Sequence, residues 1–335
     1  LLQELLAYLS MKHFLFEFIT GGGLIGQTLP DSLVREARTM VQTLIKELIA
    51  CGHYKITITR DSRVQLFDHD VTQHTINTPF KKILPELVRK SDICWLIAPE
   101  TENCLYNLTD LFMQNASIFI GSDLNAVHTT SSKLITCNIL ENANICTPET
   151  KLLKDVIPDS KSGWIIKPDD GVGAENCIYV SDRLALREDM TIKENDNYII
   201  QPFIEGEHMS MSLFVYNKNI QLLSCNKQEI ILKNNLISLT GIGVNEFLSY
   251  QDQMRELAES IVPAIPGFSG YIGIDLIRSN NKFFVIDINP RFTTSYAGIS
   301  ASLGINITEK ILNTFLRQEI QDINLKKAIP IKLKF

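Results

Sequence analysis

The sequence lacks the features that mark membrane, nucleic-acid-binding and zinc-binding proteins. No apolar run approaches the roughly 20 residues of a transmembrane helix. No run of Lys or Arg stands out, and a net charge of −6 argues against a basic face for nucleic-acid phosphates. No CxxC pair occurs, so the ligand spacing of a zinc site is missing. We therefore expect neither a membrane nor a nucleic acid as a partner.

Cysteine is sparse, and its seven copies are odd in number and scattered along the chain. Several lie in apolar runs, as Cys94 does in CWLIAP, which favours buried thiols in a reducing compartment. The opening LLQELLAYLS lacks a basic n-region and an obvious cleavage site, which disfavours a secretory signal. We expect a cytoplasmic protein. Two interpretations of residues 1–10 stay open: a non-native or extended stretch in front of Met11, or a short helix.

The composition is that of a globular protein, and the length of 335 residues admits two or three domains. Over residues 12–122, apolar strands alternate with amphipathic helices; the strands are KHFLFEFI, YKITITRD, DICWLIAPE and SIFIGSD. The first helix follows Pro30, with Asp31 or Ser32 as its cap and Gly52 at its end. This alternation predicts an open parallel sheet with helices on its faces.

Beyond SIFIGSD the pattern changes to antiparallel strands with flanking helices, and GYIGIDLIRSNNKFFVIDINPRF predicts a hairpin that turns at residues 279–281. Asp287, Asn289 and Arg291 lie two apart on its second strand, so they share a face, and Asp275 on the first strand comes beside them. Two carboxylates and an amide oxygen are hard ligands that suit Mg²⁺, and Arg291 can hold a neighbouring anion. The alternative is the polar outer face of an edge hairpin.

Lys167 ends an apolar strand just before a loop that contains Gly171 and Gly173. A lysine there can neutralise a phosphate while backbone N–H groups of the loop close over it. An exposed lysine before a turn is the alternative, and Lys133 on the preceding helix is a second candidate. The segment QPFIEG offers extended backbone to a purine edge, and Glu207 behind it can accept from ribose hydroxyls. Alone, that segment is only a strand and a turn.

The triple glycine in GGGLIGQ has dinucleotide-loop spacing if Gly21, Gly23 and Gly26 are taken together. Such a loop should open a helix directly, but Leu29 and Pro30 intervene, and the acidic residue expected about 20 residues later falls inside a helix. NAD(P) binding is therefore disfavoured. Two interpretations remain: a plain turn, or a loop that approaches a small substrate at the carboxyl end of the sheet.

Five parts of the sequence, taken in order, resemble the ATP-grasp superfamily: Lys133, KPDDGVGAE, QPFIEGE, GYIGIDL and DINPR. The resemblance covers roughly residues 120–310. It implies an α/β plus α+β fold, with an open parallel pre-ATP-grasp domain over residues 11–120 followed by a two-subdomain ATP-grasp fold. The small subdomain, with linking helices and the Gly loop, would span residues 121–207, and the C-terminal subdomain with the Mg²⁺ site residues 208–335.

The same resemblance implies ATP and Mg²⁺ as cofactors, with Mn²⁺ as an alternative, and a carboxylate–amine (or thiol) ligase that works through an acyl phosphate. Arg291 and Lys167 would act on the transferred phosphoryl group and the acyl phosphate. Gln201 and Asp287 stand where many members have Glu. The residues implied for the nucleotide are Lys133, Lys167, Gly171, Gly173, Gln201, Pro202, Phe203, Ile204 and Glu207, and those implied for the metal are Asp275, Asp287 and Asn289.

Two further stretches, FEFITGGGLIGQTLPDSLVREARTMVQTLI and INPRFTTSYAGI, look like the branch that contains tyramine–L-glutamate ligase of methanofuran biosynthesis. This resemblance implies small-molecule partners, an amino acid and an amine, with the γ-carboxylate of glutamate joined to tyramine. A homodimer is left open. The implied substrate residues are Gly21, Gly22, Gly23, Thr293, Thr294 and Ser295, and the further candidates, for which an ordinary structural role is equally open, are Glu17, Arg60 and Arg63.

Three other functions stay open from the sequence. The first is a different amino-acid or dipeptide ligase on the same fold, and the second is a non-catalytic module that binds ATP without turnover. A dehydrogenase that uses GGGLIG is the most distant. His128 and His208 can assist a reaction, but a lone His is more often structural.

Overall fold

A five-stranded parallel sheet forms the first part of the chain. The computed structural model describes residues 10–52, 55–172, 176–182, 197–320 and 322–334. The strand order in this sheet is β3-β2-β1-β4-β5. The strands are β1 (His13–Glu17), β2 (Ile56–Asp61), β3 (Thr72–Ile76), β4 (Ile93–Ile97) and β5 (Ile118–Ile120). The predicted open parallel sheet is confirmed, and the edge strand β3, whose side chains are mostly exposed and polar, is an element that the sequence pattern missed.

Helices cover both faces of this sheet. The side chains of β1 alternate between the two faces, so that each face packs against different helices. Leu15 packs in the core cluster that includes the helix α1 (Asp31–Ala50), whereas Phe14 and Phe16 pack in the cluster of α2 (Leu84–Arg89) and α3 (Cys104–Asn115). The N-cap of α1 is Pro30 and makes no side-chain cap bond, so the prediction of Asp31 or Ser32 as the cap was wrong. Asp31 lies instead in the first turn, where its charge suits the helix dipole.

Two capped helices lead out of the parallel sheet. The carboxylate of Asp123 accepts hydrogen bonds from Asn125 N and Ala126 N and caps α4 (Leu124–Ser131). The hydroxyl of Ser132 accepts from Ile135 N and caps α5 (Lys133–Asn142). Because Ser132 is the cap, Lys133 becomes the first residue of α5, at the end that points back toward the sheets.

The second sheet is antiparallel and has ten strands in the order β14-β13-β10-β11-β12-β8-β7-β9-β6, with β15 paired to β12. This confirms the predicted α+β region. Its strands are β6 (Lys151–Leu152), β7 (Trp164–Pro168), β8 (Ile178–Val180), β9 (Tyr198–Pro202), β10 (Glu207–Tyr216), β11 (Asn219–Lys233), β12 (Leu236–Val244), β13 (Gly270–Ser279), β14 (Lys282–Asn289) and β15 (Ile331–Lys334). The helices around it are α6 (Gln251–Ala264), α7 (Tyr296–Leu303) and α8 (Ile307–Arg317), and short 3₁₀ segments occur at Phe80–Lys82, Thr101–Asn103, Leu248–Tyr250 and Leu325–Lys327.

The β13–β14 hairpin turns as predicted. Asn280 and Asn281 form its tip, both with positive φ, a conformation that Asn tolerates better than most residues. Ser279 pairs with Lys282, and this register would continue to set Asp275 opposite Ile286, but a β-bulge between Asp275 and Leu276 shifts it by one residue and sets Asp275 opposite Asp287. The turn and the bulge together therefore bring the two carboxylates to the same position on adjacent strands.

Besides the cluster of α2 and α3, two hydrophobic cores of very different size hold these layers together. The large core runs from the parallel sheet through α1 into β10–β14, and the rings of Trp95 and Phe292 lie 6.2 Å apart within it. The small core belongs to β7–β9 and contains the buried side chains of Trp164, Ile166 and Ile200. We call β7–β9 the small lobe and the rest of the two sheets the platform.

Four of the cysteines are buried, which confirms that part of the prediction: Cys94, Cys137, Cys177 and Cys225. Burial raises the pKa of Cys94 and Cys225 to about 12, so these thiols do not ionise at neutral pH. Cys146 differs, because it is exposed. In the described ranges, no helix combines the length and the apolar character that a membrane crossing needs.

Candidate active site

A cavity of about 170 Å³ lies between the small lobe and the platform. Its walls are mainly apolar, whereas charged side chains meet at one end. Such a cavity suits a flat heteroaromatic ring bound beside a charged group. The apolar walls come from Ile165, Phe203, Ile204, Ile230, Ile237, Leu239, Leu276, Ile277 and Ile286.

Most of the predicted nucleotide and metal residues line this one cavity. They are Lys133, Lys167, Gly171, Gln201, Pro202, Phe203, Ile204, Asp275 and Asp287. Gly173 lies outside the described residues. Glu207 is not among the lining residues; its half-exposed carboxylate pairs with Arg278 at 3.0 Å on the neighbouring strand. His208 does line the cavity, and burial lowers the pKa of its imidazole.

The carboxylates of Asp275 and Asp287 form the acidic end of the cavity. Asp275 Oδ1 accepts a hydrogen bond from Gln228 Nε2 at 2.8 Å, and Asn289 Nδ2 lies 3.5 Å from Asp275 Oδ2. Desolvation and the neighbouring charge of Asp287 raise the pKa of Asp275 to about 6. Two like charges are thus forced together in a site that only partly solvates them.

This donor set fits a divalent cation such as Mg²⁺. In the described part of the chain no three His, Cys, Asp or Glu side chains cluster as metal ligands, so the protein itself offers the two carboxylates of Asp275 and Asp287. Asn289 lies beside them but is not among the cavity-lining residues; its amide nitrogen faces Asp275 and its oxygen accepts from Arg291. Mg²⁺ characteristically takes one or two carboxylates together with water and substrate phosphates. The mutual repulsion that raises the pKa of Asp275 is what a bound cation would relieve.

The two lysines of the cavity have different surroundings. Lys133 Nζ lies 3.3 Å from Asp287 Oδ2 and donates to the carbonyl of Gly171 at 2.6 Å. Burial lowers the pKa of Lys133, but the charges of Asp287 and Glu100 more than offset this and raise it. Lys167 is buried and, among the described residues, has no carboxylate partner; burial and the charge of Lys133 lower its pKa. A polyphosphate would supply the anion that Lys167 lacks.

The segment from Gln201 to Ile204 presents backbone and apolar side chains to the cavity. The side chain of Gln201 is buried and donates to Thr150 Oγ1 at 2.8 Å. Phe203 N donates to Gly163 O at 2.9 Å, and the Phe203 ring meets Tyr179 edge-on at 4.9 Å. Many members of the superfamily have Glu where this chain has Gln201. Because the Gln201 amide donates to Thr150, the presence of Gln in place of Glu affects an internal hydrogen bond more than the surface of the cavity.

Arg291 leaves the end of β14 and forms an ion pair that the sequence did not predict. Its Nε lies 3.0 Å from Glu100 Oε1 and its Nη2 lies 2.8 Å from Glu100 Oε2, a two-point contact between the buried Glu100 and the partly buried Arg291. Arg291 Nη2 also donates to Asn289 Oδ1 at 3.2 Å. Glu100 follows β4 by three residues. The rule that ligands bind beyond the carboxyl ends of parallel strands could have singled it out.

The predicted substrate glycines lie at the carboxyl end of β1, in a loop that is tightly packed. A Cβ on Gly21 would come within 2.3 Å of Glu17 O, and Gly22 has a φ of +99° with Ile76 against it. The buried carboxylate of Glu17 accepts from Ile19 N at 2.9 Å and Thr20 N at 2.6 Å. Glycine is therefore required here by the loop itself.

The two arginine candidates also serve the loops of the first domain. Arg63 pairs with Asp61 at 2.7 Å and donates to Leu24 O and Gln27 O. Arg60 donates to Thr75 Oγ1 at 2.9 Å. Their guanidinium groups are thus occupied by contacts inside the domain that carries the Gly21–Gly23 loop.

The three hydroxyl residues after the metal strand divide into two kinds. Ser295 is 2% exposed, and its Oγ lies 3.0 Å from Tyr271 OH and 3.1 Å from Ser212 Oγ, inside the platform. Thr293 and Thr294 are half-buried. Thr294 Oγ1 reaches Glu36 Oε2 at 3.5 Å. Thr293 Oγ1 belongs to the same hydroxyl cluster, 3.1 Å from Tyr271 OH and 3.0 Å from Ser295 Oγ. The structure therefore turns Ser295 and the Thr293 hydroxyl inward and leaves Thr294 nearer the surface.

Comparisons with known proteins agree with this geometry. Family models of the ATP-grasp domain and of the pre-ATP-grasp domain match residues 130–295 and 54–127. The tyramine–L-glutamate ligase of Methanocaldococcus jannaschii is 26% identical over 278 residues, which is 81% of this chain and 80% of that protein. The ligase of the same name from Methanocaldococcus fervens is 27% identical over 80% of this chain and 84% of its own.

Solved structures show the same fold. An ATP-grasp superfamily protein from Archaeoglobus fulgidus superposes with a TM-score of 0.71 at 24% identity, covering 97% of this chain and 100% of that one. An L-amino acid ligase from Bacillus licheniformis superposes with a TM-score of 0.67 at 16% identity, covering 91% of this chain and 74% of that one. The protein described here belongs to the ATP-grasp superfamily, with a pre-ATP-grasp domain in front of its ATP-grasp domain.

Proposed function

We propose that this ATP-grasp ligase activates a carboxylate as an acyl phosphate at the expense of ATP and then joins it to an amine. The specific reaction that we propose couples L-glutamate, through its γ-carboxylate, to tyramine, as in methanofuran-type cofactor biosynthesis. The observation that carries the proposal is the meeting of Lys133, Lys167, Asp275 and Asp287 at one end of a single apolar cavity. The names of the two curated relatives support the choice of substrates.

The apolar walls around Phe203 and Ile204 suit the adenine ring, and the backbone of Gln201–Ile204 suits its hydrogen-bonding edge. Lys167 then meets the phosphates as a desolvated ammonium without a carboxylate partner in the described chain. Lys133 adds a second positive charge 3.3 Å from Asp287. Asp275, Asp287 and Asn289 would hold Mg²⁺, which neutralises phosphate charge and orients the γ-phosphoryl group when it is bound.

In the first step, a carboxylate oxygen of glutamate attacks the γ-phosphorus, the bond to the β-phosphate oxygen breaks, and ADP leaves. The protein contributes position and charge rather than a nucleophile of its own. Arg291, at the end of β14 and beside Asn289, suits the charge that builds on the transferred group. In the second step the amine attacks the acyl carbon, phosphate leaves, and the nitrogen loses a proton.

The acid and amine would bind where the carboxyl ends of β1 and β4 face Arg291. Gly21–Gly23 and Thr293–Thr294 are the substrate residues that we propose there. Gly171 O accepts from Lys133 Nζ in the cavity wall, and the segment around Gly171 would keep water from the acyl phosphate. The cytoplasmic location and the homodimer stay predictions.

The direct test measures ADP release from Mg·ATP with L-glutamate, with and without tyramine, followed by the mass of any product. Wild-type protein should release ADP faster when both substrates are present and should yield glutamyl-tyramine. The Asp287→Asn variant, purified in the same way, controls for a contaminating ATPase.

Each other result would point to one of the alternatives. ADP release with a different acid and amine would support the ligase activity but exclude glutamate and tyramine as its substrates. Tight binding of Mg·ATP with no substrate-dependent ADP release from any pair would identify a non-catalytic nucleotide-binding module.

A further inference from the structure

We infer that Glu100 is a positioning residue for Arg291, supplied by the first domain to the reaction centre of the second. The inference rests on the proposed function and extends it, because it makes the phosphoryl site a product of both domains. Glu100 is buried and both of its carboxylate oxygens accept from Arg291, so it would act through Arg291 and not on the substrate.

The geometry of the ion pair leaves Arg291 little freedom. Glu100 takes the Nε and Nη2 edge of the guanidinium in two-point contact, Asn289 Oδ1 accepts from Nη2, and Phe292 O accepts from Nη1 at 3.2 Å. A guanidinium has five N–H groups, so four are engaged in these contacts. The one that remains is on Nη1, and its direction is set by the other four.

The segment that carries Glu100 is also tied to the start of the Gly loop. Glu102 N donates to Asp170 Oδ2 at 2.9 Å, and Thr101 Oγ1 donates to Asp170 O at 3.3 Å. Glu102 and Asn103 both have positive φ, at 54° and 57°. A side chain other than Gly or Asn is strained in that conformation, and such strain persists only where surrounding contacts hold it.

These contacts make residues Glu100–Asn103 a junction between two parts of the site. One end of this junction segment holds Arg291 on the platform, and the other end receives Asp170, two residues after the strand that bears Lys167. A shift of Asp170 would therefore be transmitted to Arg291 through the backbone of Glu100–Glu102. Charge supports the same assignment, because the partly buried Arg291 would have no other carboxylate within ion-pair distance among the described residues.

The primary experiment compares Glu100→Gln with Glu100→Asp and with the control Glu86→Gln. Glu86 also belongs to an ion pair of the first domain, but it is largely exposed and lies outside the site. We expect Glu100→Gln to lower kcat about 10- to 100-fold, because a misplaced group costs rate. Binding of Mg·ADP should stay within about twofold of wild type, as for a site whose direct contacts are untouched. Glu100→Asp keeps the charge and should fold. Its side chain is too short for the two-point contact, so its kcat should lie between those of wild type and Glu100→Gln.

A second readout needs no turnover. In wild type, aluminium fluoride should tighten the binding of Mg·ADP, because it mimics the transferring phosphoryl group. Both Glu100 variants should bind Mg·ADP normally and lose that tightening, while Glu86→Gln keeps it. This readout separates the inference from the proposed function. If no glutamyl-tyramine formed, glutamate and tyramine would be excluded as substrates, but the effect of aluminium fluoride on Mg·ADP binding would still test the role of Glu100.

The link to the Gly loop is tested by a double-mutant cycle on the same readouts. Asp170→Ala and Glu100→Gln should combine to less than the product of their separate effects, because each disturbs one end of the same segment. The inference is overturned if Glu100→Gln retains kcat and the aluminium fluoride response within twofold of wild type. It is also overturned if kcat and Mg·ADP binding fall together in proportion to the folded fraction.

Discussion

The small lobe and the platform are built on different scales. The platform combines the parallel sheet with β10–β14 in one large core, whereas the small lobe depends on a few buried side chains around Trp164. The platform carries Asp275, Asp287 and Arg291, and the small lobe carries Lys167. Elements with few buried apolar contacts open more easily than the global core. The proposed metal and phosphoryl site therefore belongs to the larger core, and Lys167, the lysine proposed to bind phosphate, belongs to the smaller one.

The largest effect should come from the platform carboxylates. Asp287→Asn keeps the side-chain size and removes one ligand charge, so we expect Mg²⁺-dependent turnover to fall by about 10²–10³-fold or more. The fold should be retained, because an amide can occupy the same place on β14. ADP release measures the turnover, and thermal unfolding measures whether the fold is retained.

Asp68→Asn is the matched control, because Asp68 is exposed and belongs to the first domain. It should behave as wild type in both assays. Full activity in Asp287→Asn would refute the metal assignment.

The next effect separates the two cores. Leu44→Ala in α1 and Ile166→Ala in β7 each remove a fully buried aliphatic side chain, which costs about 2–5 kcal/mol at the site concerned. In the platform this loss should lower the global unfolding temperature. In the small lobe it should instead speed amide hydrogen exchange in β7–β9 and weaken nucleotide binding.

Calorimetry with hydrogen exchange would distinguish the two variants. An equal fall in the global unfolding temperature for both, with no local change in exchange, would show that the small lobe is not a separate unit.

Lys167→Ala tests the small lobe's contribution to the nucleotide. Loss of one charge-assisted contact should weaken Mg·ATP binding about 10- to 100-fold. Lys161→Ala, three residues before β7 and exposed, should leave the affinity unchanged. Equilibrium titration gives both values, and an unaltered affinity in Lys167→Ala would exclude its phosphate role.

The smallest effect concerns pH and lies in the platform. Burial is the largest influence on Glu17 and raises the pKa of its carboxyl above the ordinary 4.5, so the folded state keeps its proton longer than the unfolded state. The contribution of the Glu17 carboxyl to the free energy of unfolding is therefore fully present below pH 4.5, and it falls as pH rises toward the raised pKa.

Glu17→Gln removes the titration while keeping the size and one acceptor oxygen. The difference in unfolding temperature between wild type and this variant, measured from pH 4 to pH 8, should shift against wild type as pH rises. A constant difference would refute the raised pKa.

Local sequence patterns gave the parts of the site that a hairpin or a single strand can bring together. Alternation placed Asp287 and Asn289 on one face of β14, and the Asn-Asn turn placed β13 beside it, but the β-bulge that sets Asp275 opposite Asp287 was not predicted. The pairing of Glu100 with Arg291 could not be predicted, because the two residues belong to different domains; the position of Glu100 after β4 marks it only as a residue at the carboxyl end of the sheet. Gln228, the hydrogen-bond partner of Asp275, has the same difficulty, since it lies on β11, which does not neighbour β13.

Other differences arise from packing rather than pattern. The inward orientation of the Ser295 side chain could not be predicted from the local motif. It depends on contacts with Tyr271 on β13 and Ser212 on β10, which that motif does not include. The strand β3 has few apolar residues because it is a sheet edge, so periodicity gave no sign of it. The domain boundaries and the roles of the individual site residues stay predictions that the variants above would test.

The β13–β14 hairpin also bears on how the chain folds. Asp275 and Asn289 are 14 residues apart in sequence, whereas Glu100 and Arg291 are separated by 191. Closing the short loop is fast and local, and the long-range contact must await the docking of the first domain on β14. During folding, a chain with the hairpin formed would therefore hold its paired carboxylates early, with Arg291 still solvated. Formation of the Glu100–Arg291 pair would be a late step, and its appearance would mark a chain whose two domains have joined.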